Sequence, residues 1–364
     1  MSYAFKDDNI IFIKTFERCG VLKSKQNIRQ KAATILDVAR LANVSKSAVS
    51  RHINKQDGVA REAEEKIIKA IDELKYKPNS IARALKAKAT KSIGLIIPSI
   101  ENPVFPPLIK VIEDTARRYG FSTILCNSEG SIEQEADYIE LLVEKQVDGV
   151  IFNAMGDYRE SFDILKNTNT PLVVIGRKIE NFNTANITVD NFKGAFMAVE
   201  YLIKSGLKDI AFLSGHLESS TAINDRYEGY KAALEANGIA FNQNLVIREV
   251  RSFEGGIEAA CELIARKDKF DSIFASNDIM AIGCMEKLMD CGYSIPHDIS
   301  VIGYDDIPSA RIIKPKLSTV LNPVKGFGVE SVKALLRIIY TGTDSHIEKK
   351  FDPELVIRET TRQI

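Results

Sequence analysis

The side chains that most often carry chemistry are spaced here in ways that argue against catalysis. The four histidines, His52, His216, His297 and His346, are scattered. The five cysteines, Cys19, Cys126, Cys261, Cys284 and Cys291, are odd in number and show no C-x-x-C spacing, so neither a secreted disulfide framework nor a zinc site is expected. Reduced, mostly buried thiols in a cytoplasmic protein are the expectation. There is no G-x-x-x-x-G-K-[ST] or G-x-G-x-x-G fingerprint and no nucleophile elbow. Asp305 and Asp306 invite a paired-carboxylate hydrolase reading, but adjacent residues of an extended strand point to opposite faces and cannot act on one bond. No enzymatic activity, metal or cofactor is expected. What remains is hydrogen-bonding chemistry. One set, Lys46, Ser47, Ser50 and Arg51 with His52 nearby, has the donors and acceptors that reach base edges in a major groove. A second set lies in the segments that follow apolar runs farther along the chain.

The elements that must position the first set sit in a basic head. The formal net charge of the 364 residues is zero. Residues 1–91 nevertheless hold 20 Lys and Arg against 10 Asp and Glu, and residues 92–364 hold 29 against 39. A basic head on an acidic body suggests a polyanionic partner. Residues 1–33 show no period and read as a flexible extension, or as a start placed too early. From Thr34 the pattern sharpens. Thr34-Ile35-Leu36-Asp37 is an acidic capping box, and Leu36, Ala39 and Leu41–Ala42 recur at helical spacing. Asn43 suits a left-handed turn. Ser45 caps a second short helix, Lys46 to about Asn54, with Val49 and Ile53 as its buried stripe. A third helix, Arg61 to Lys75, is apolar at Ile67, Ile68, Ile71 and Leu74. Two short helices across a tight turn form a helix-turn-helix. Pro78 then stops the third helix, and Asn79 or Ser80 can cap a short segment that is too short to be helical alone.

From Ser92 the pattern alternates short apolar runs with amphipathic helices. Strands are expected at 93–97, 122–126, 149–152, 172–175, 210–213, 245–250, 272–275 and 299–304. Helices are expected at 107–119, 132–145, 192–204, 224–237, 256–266 and 279–291. Continuous apolar strands suit parallel sheets covered on both faces, so this is a doubly wound α/β body. Its length favours two lobes. No apolar run reaches the length of a membrane span. Asp7 and Asp8 stand where a signal peptide needs basic residues.

The run TILDVARLANVSKSAVSRHIN, Thr34 to Asn54, resembles the headpiece of the lactose/galactose-repressor family of bacterial transcription regulators almost position for position. YKPNSIARALK, Tyr76 to Lys86, resembles the family's hinge. Later matches are the segment at Asn102-Pro103-Val104-Phe105, R-x-x-G-[YFW] at Arg226, N-D-x-x-A-x-G at Asn277, and V-x-G-[FY]-D-[DN] at Val301. The resemblance covers residues 34–364. It implies an all-α headpiece on a two-lobed body of the type I periplasmic-binding-protein fold. The implied domains are a headpiece at 34–77, a hinge and linker at 78–91 and a body at 92–364. Lobe 1 is taken as about 92–190 plus 322–345, and lobe 2 as about 191–321 plus 346–364. Implied DNA contacts are Thr34, Ser45, Lys46, Ser47, Ser50, Arg51 and Asn54, then Asn79, Ala82, Leu85 and Lys86 of the hinge. Leu85 matches a leucine wedge in the minor groove. Implied effector contacts in the interlobe cleft are Asn102, Phe105, Arg177, Ser220, Arg226, Phe253, Asn277, Asp278 and Asp305. Asn277 and Asp278 fit equally well as caps of the next helix, and Arg177 reaches the cleft or sits on its rim. Many relatives carry an aspartate where Gly176 stands. Aromatics beside Asp, Asn and Arg suit a sugar or sugar phosphate, with a purine as the alternative. The expected partners are a pseudo-palindromic operator in double-stranded DNA, a small-molecule effector and a second copy of the chain. No leucine heptads follow the last strand, so a homodimer is expected. The remaining alternative is a solute-binding protein for uptake.

Overall fold

The computed structural model describes residues 33–54, 56–76, 89–153, 159–178, 184–215, 221–250, 252–266, 268–342 and 347–364. The chain divides into two compact units, Met1–Lys86 and Ala87–Ile364. The hinge residues Asn79, Ala82, Leu85 and Lys86 lie outside the described residues, as do Ser220 and residues 1–32.

The first unit is built on three helices: α1 (Ile35–Leu41), α2 (Lys46–Ile53) and α3 (Arg61–Glu73). The capping box forms as the residue types require. The Asp37 amide donates to Thr34 Oγ1 at 3.3 Å and the Thr34 amide donates to Asp37 Oδ2 at 2.9 Å. Asn43 takes the left-handed conformation at φ 51°. The Ala48 amide donates to Ser45 Oγ at 3.2 Å and so starts α2. The core is Val38, Ala39, Ala42, Val49, Ile67 and Ala70. Leu36, Leu41 and Ile68 are instead exposed. Small residues line the seam because the short helices cross closely, and the leucines fall on the outer side.

The second unit holds two six-stranded sheets. Lobe 1 contains β1 (Ser92–Ile97), α4 (Phe105–Arg118), β2 (Ser122–Asn127), α5 (Ile132–Glu144), β3 (Gly149–Phe152), α6 (Arg159–Asn167), β4 (Leu172–Ile175) and β5 (Ala185–Val189). Lobe 2 contains α7 (Asn191–Lys204), β6 (Ile210–Leu213), α8 (Thr221–Ala236), β7 (Val246–Ile247), α9 (Phe253–Arg266), β8 (Ser272–Ala275), α10 (Asp278–Asp290), β9 (Ser300–Asp305) and β10 (Ser318–Leu321). The chain then returns to lobe 1 with α11 (Val324–Thr341) and β11 (Glu348–Phe351), and to lobe 2 with β12 (Glu354–Val356). The sheet orders are β11-β5-β4-β3-β1-β2 and β12-β10-β9-β8-β6-β7. Every pairing is parallel except β10 with β12. The central strands GVIF, LVVI, IAFL and SIFA are buried at every residue, as strands covered on both faces must be.

The expected lobe boundaries need two corrections. The tail of lobe 2 does not begin at 346, because β11 pairs with β5 in the first sheet, Lys349 opposite Ile187, and the return falls at Asp352–Pro353. Residues 89–91 are also not linker. The Thr90 amide donates to Asp148 Oδ1 at 3.2 Å, Thr90 Oγ1 donates to the Gln146 carbonyl at 2.9 Å, and the Ser122 amide donates to the Lys91 carbonyl at 2.8 Å. The expected strand at 245–250 shrinks to Val246–Ile247, a two-residue edge strand after a 3₁₀ turn. Three crossovers therefore join the lobes: β5 to α7, β10 to α11, and β11 to β12.

Candidate functional site

A cleft of about 740 Å³ opens where the carboxyl ends of both sheets face each other. Strand after strand delivers a residue to it: Ser99 after β1, Asn153 after β3, Gly176 and Arg177 after β4, Gly215 after β6, Ser276 and Asn277 after β8, Asp305 at the end of β9 and Asn322 after β10. Parallel strands end with unpaired backbone and side chains aimed outward, which is why such crevices bind ligands.

Three glycines make the geometry possible, and each belongs to a motif noted in the sequence. A Cβ on Gly229 of α8 would collide with the Phe192 carbonyl of α7. That close helix crossing brings Arg226, one turn earlier, up to Asn191. A Cβ on Gly283 of α10 would collide with the backbone of Phe253, so Gly283 sets the position of this cleft aromatic. A Cβ on Gly303 of β9 would occupy the place of the Asp278 carboxylate.

Arg226 is the hub of the cleft floor. Its Nε donates to Asn191 Oδ1 at 2.9 Å, and Nη1 donates to the Ser276 carbonyl. Nη2 lies 3.6 Å from Asp305 Oδ1. The guanidinium carbon sits 3.5 Å from the centre of the Tyr304 ring, within the range of a cation–π contact. Asp305 is almost fully buried. Burial pushes its carboxyl above the usual range, and the Arg226 charge and the Asn322 amide pull it back. Asn322 Nδ2 donates to Asp305 Oδ1 at 3.2 Å. The backbone is strained at this point, since Asp305 and Asp306 both have positive φ, 112° and 52°. Strain held by surrounding packing is common at ligand sites. The two carboxylates diverge as expected, although the cause is this turn at the strand end rather than extended-strand alternation. Asp306 turns away to Arg358 at 2.6 Å and Arg311 at 2.5 Å.

Of the expected effector residues, Asn102, Phe105, Arg177, Arg226, Phe253, Asn277 and Asp305 line this cleft. Asn102 also builds its own turn, with Oδ1 accepting from the Val104 amide at 3.1 Å. Asn277 also caps α10, with Oδ1 accepting from the Met280 amide at 2.9 Å. Asp278 does not face the cleft. It is fully buried, and its two oxygens accept from the Ile307 amide at 2.8 Å and the Thr319 hydroxyl at 2.5 Å. It joins α10 to the segments around β9 and β10. Asn277 is the extended N-cap and Asp278 the first helical residue, and the two side chains leave in different directions, one lining the cleft and the other entering the core. Asn191, Asn322 and Asn153 line the cleft without having been expected. Single asparagines outside any motif carry no signal in sequence.

In the headpiece, Thr34, Ser45, Lys46, Ser47, Arg51 and Asn54 are exposed and Ser50 is half-buried. Six of them lie on α2 or cap its ends. The rest of that helix packs inward through Val49, and His52 Nδ1 meets Glu64 Oε1 of α3 at 3.1 Å.

Residues 34–79 match the model of bacterial regulatory proteins of the lacI family. Residues 90–354 match that of periplasmic binding proteins and the sugar binding domain of the LacI family. The chain is 37% identical over 331 residues to the HTH-type transcriptional repressor PurR of Pasteurella multocida, covering 91% of this chain and 99% of that one. A solved structure of the Lac repressor dimer bound to operator and the anti-inducer ONPF superposes with a TM-score of 0.82 at 27% identity, covering 91% of this chain and 99% of that chain. A complex of the transcriptional regulator CelR with cellobiose gives 0.69 at 26% identity over 90% of this chain and 99% of that one. The headpiece and the two-lobed body thus each match a model of the same family, and the chain belongs to the LacI family of bacterial transcriptional regulators.

Proposed function

We propose that the cleft binds a carbohydrate or sugar phosphate and that its occupancy controls repression by a homodimer on a pseudo-palindromic operator. The observation that carries this reading is the floor of the cleft. Asp305, Arg226 and Asn277 offer acceptors and forked donors beside the aromatic rings of Phe105 and Phe253. Hydroxyl-rich rings with one apolar face need that pairing. Asn102 and Arg177 supply further polar contacts, and Ser220 completes the effector set. Asp278 is left out of it.

On the DNA side, Lys46, Ser47, Ser50 and Arg51 read base edges from α2 in the major groove. Thr34, Ser45 and Asn54 hold phosphates. Asn79, Ala82, Leu85 and Lys86 of the hinge enter the minor groove, with Leu85 as the wedge. The effector acts by binding one of two dimer states more tightly, which shifts the population competent for DNA. The regulator works in the cytoplasm. Among the described residues no helix is long and apolar enough to cross a membrane.

A purine in the same cleft is the second reading, favoured by the identity with the PurR repressor. Thermal-shift screening of the full chain against D-ribose, cellobiose, glucose 6-phosphate, hypoxanthine and guanine separates the two. A cleft ligand at 100 times its Kd stabilises by about 2.7 kcal/mol. A rise in Tm with the sugars alone supports the first reading, and a rise with the purines alone replaces it.

A further inference from the structure

The Arg226 guanidinium is planar, so its aim depends on more than its hydrogen bonds. Nε donates to Asn191 Oδ1 at 2.9 Å and Nη1 donates to the Ser276 carbonyl. Both bonds hold one edge of the group. They leave its plane free to tilt about that edge, and the tilt decides where Nη2 points. The guanidinium carbon stands over the Tyr304 ring, 3.5 Å from its centre. Stacking on an aromatic face removes the tilt. Nη2 is then held 3.6 Å from Asp305 Oδ1.

The ring itself is braced from behind. Tyr304 is fully buried beneath the cleft floor. Its hydroxyl end abuts Gly194 of α7, where a Cβ would stand 2.6 Å from the hydroxyl oxygen, 3.1 Å from the ring and 3.2 Å from the Pro353 side chain. Asn191 and Gly194 are three residues apart on α7 and both are buried. Residues at that spacing share one helix face. One face of α7 therefore meets the edge of the guanidinium directly and the far end of the ring that supports its plane.

We infer that Tyr304 is a positioning residue: its ring, braced by Gly194, fixes the plane of the Arg226 guanidinium and so aims Nη2 in the cleft. The inference rests on the cleft being the effector site. Tyr304 acts through Arg226 and not by touching the effector. The task needs an aromatic face and not a hydroxyl. Phenylalanine therefore serves, and an aliphatic side chain does not.

Two measurements on the full chain test it. The first needs no ligand. In an NMR correlation spectrum of the arginine Nε–Hε groups, the Arg226 signal is identified by its loss in Arg226→Ala. The ring current of Tyr304 holds this proton upfield, so the signal should keep its place in Tyr304→Phe and move downfield in Tyr304→Leu. The second is calorimetric titration of whichever compound of the five-member panel gives the largest rise in Tm. Tyr304→Phe should bind this panel compound within about twofold of the unsubstituted chain, and Tyr304→Leu about ten- to thirtyfold more weakly, the worth of a desolvated cation–π contact. Gly194→Ala puts the better helix former into α7, yet it should weaken binding several-fold because the ring must move. Adding Tyr304→Phe to it should recover most of that loss, since the oxygen that meets the new Cβ is gone. This pair of variants decides if Tyr304→Leu does not fold. An unmoved signal in Tyr304→Leu, or equal affinities for the Phe and Leu variants, overturns the inference. Normal binding by Gly194→Ala, or a loss that Tyr304→Phe does not recover, overturns the bracing. Arg226→Ala separates the two levels. If it abolishes binding while Tyr304→Leu does not weaken it, only the inference has failed. If Arg226→Ala binds normally, or no panel member binds, the cleft reading has failed, and the signal in Tyr304→Leu still decides whether the ring holds Arg226.

Discussion

Asp278→Ala separates an anchoring carboxylate from a ligand contact. The side chain is fully buried between α10 and the β9–β10 region, where it accepts from the Ile307 amide at 2.8 Å and the Thr319 hydroxyl at 2.5 Å. Alanine strands both donors. At roughly 1–3 kcal/mol for each buried polar group left unsatisfied, the two donors give a deficit of about 2–6 kcal/mol, at the lower end if the Thr319 hydroxyl rotates to another acceptor. Its pH dependence has a definite sign. Burial, reinforced by the nearby Asp305 charge, raises the Asp278 carboxyl well above 3.8. The folded state therefore keeps a proton that the unfolded chain has released. The stabilisation from this group is complete below 3.8 and is lost as the pH rises through the raised value. The deficit of Asp278→Ala is accordingly larger at pH 5 than at pH 8. Urea denaturation of the full chain at both values, read by circular dichroism, measures it, and calorimetric titration of the panel compound should give unchanged affinity at pH 8. Weakened effector binding with an unchanged denaturation midpoint would falsify the anchoring role, and a deficit that grows with pH would refute the proton bookkeeping.

Other substitutions test other parts of the molecule. Arg51→Ala should reduce discrimination between the best duplex from a random-sequence selection and its single-base variants by ~1–3 kcal/mol, measured by fluorescence anisotropy; undiminished discrimination removes Arg51 from base reading. Gly283→Ala forces α10 away from the Phe253 backbone and should cost about 1–3 kcal/mol of stability while also weakening binding of the panel compound, and a stable variant with normal affinity contradicts the close approach. Asp305→Ala should leave operator binding intact and remove its response to the panel compound; a normal response in the same anisotropy assay excludes Asp305 from the site.

How far the sequence carries depends on how local the cause is. The capping box at Thr34 and Asp37, the left-handed Asn43 and the Ser45 cap are decided within three residues, and all form as read. The central strands announce themselves as apolar runs because both faces are covered. Strands without that signature were missed. β11 reads Glu-Lys-Lys-Phe because it is an exposed edge, and β5 carries Asn186 and Thr188 in its middle. The motif residues Arg226, Asn277 and Asp305 reach the cleft, but Asp278 sits one residue from Asn277 and faces the core. Helix phase decides that difference, and it depends on where α10 begins. Asn191 and Asn322 had no local mark at all, since their place in the cleft comes from a crossover geometry that only the assembled sheets create.

The interleaving of the lobes also sets the order in which the chain can become structured during synthesis. The headpiece core lies within residues 38–70, so it can form as soon as that segment is free. Neither sheet can close that early. The first awaits β11 at Glu348–Phe351 and the second awaits β12 at Glu354–Val356, each more than 140 residues after its own sheet begins. Both edges stay open until almost the whole chain has emerged, and the two lobes then complete within a few residues of each other. A nascent chain therefore has its headpiece core well before either lobe of the body is complete, and truncation ahead of β11 should cost both lobes an edge strand rather than one.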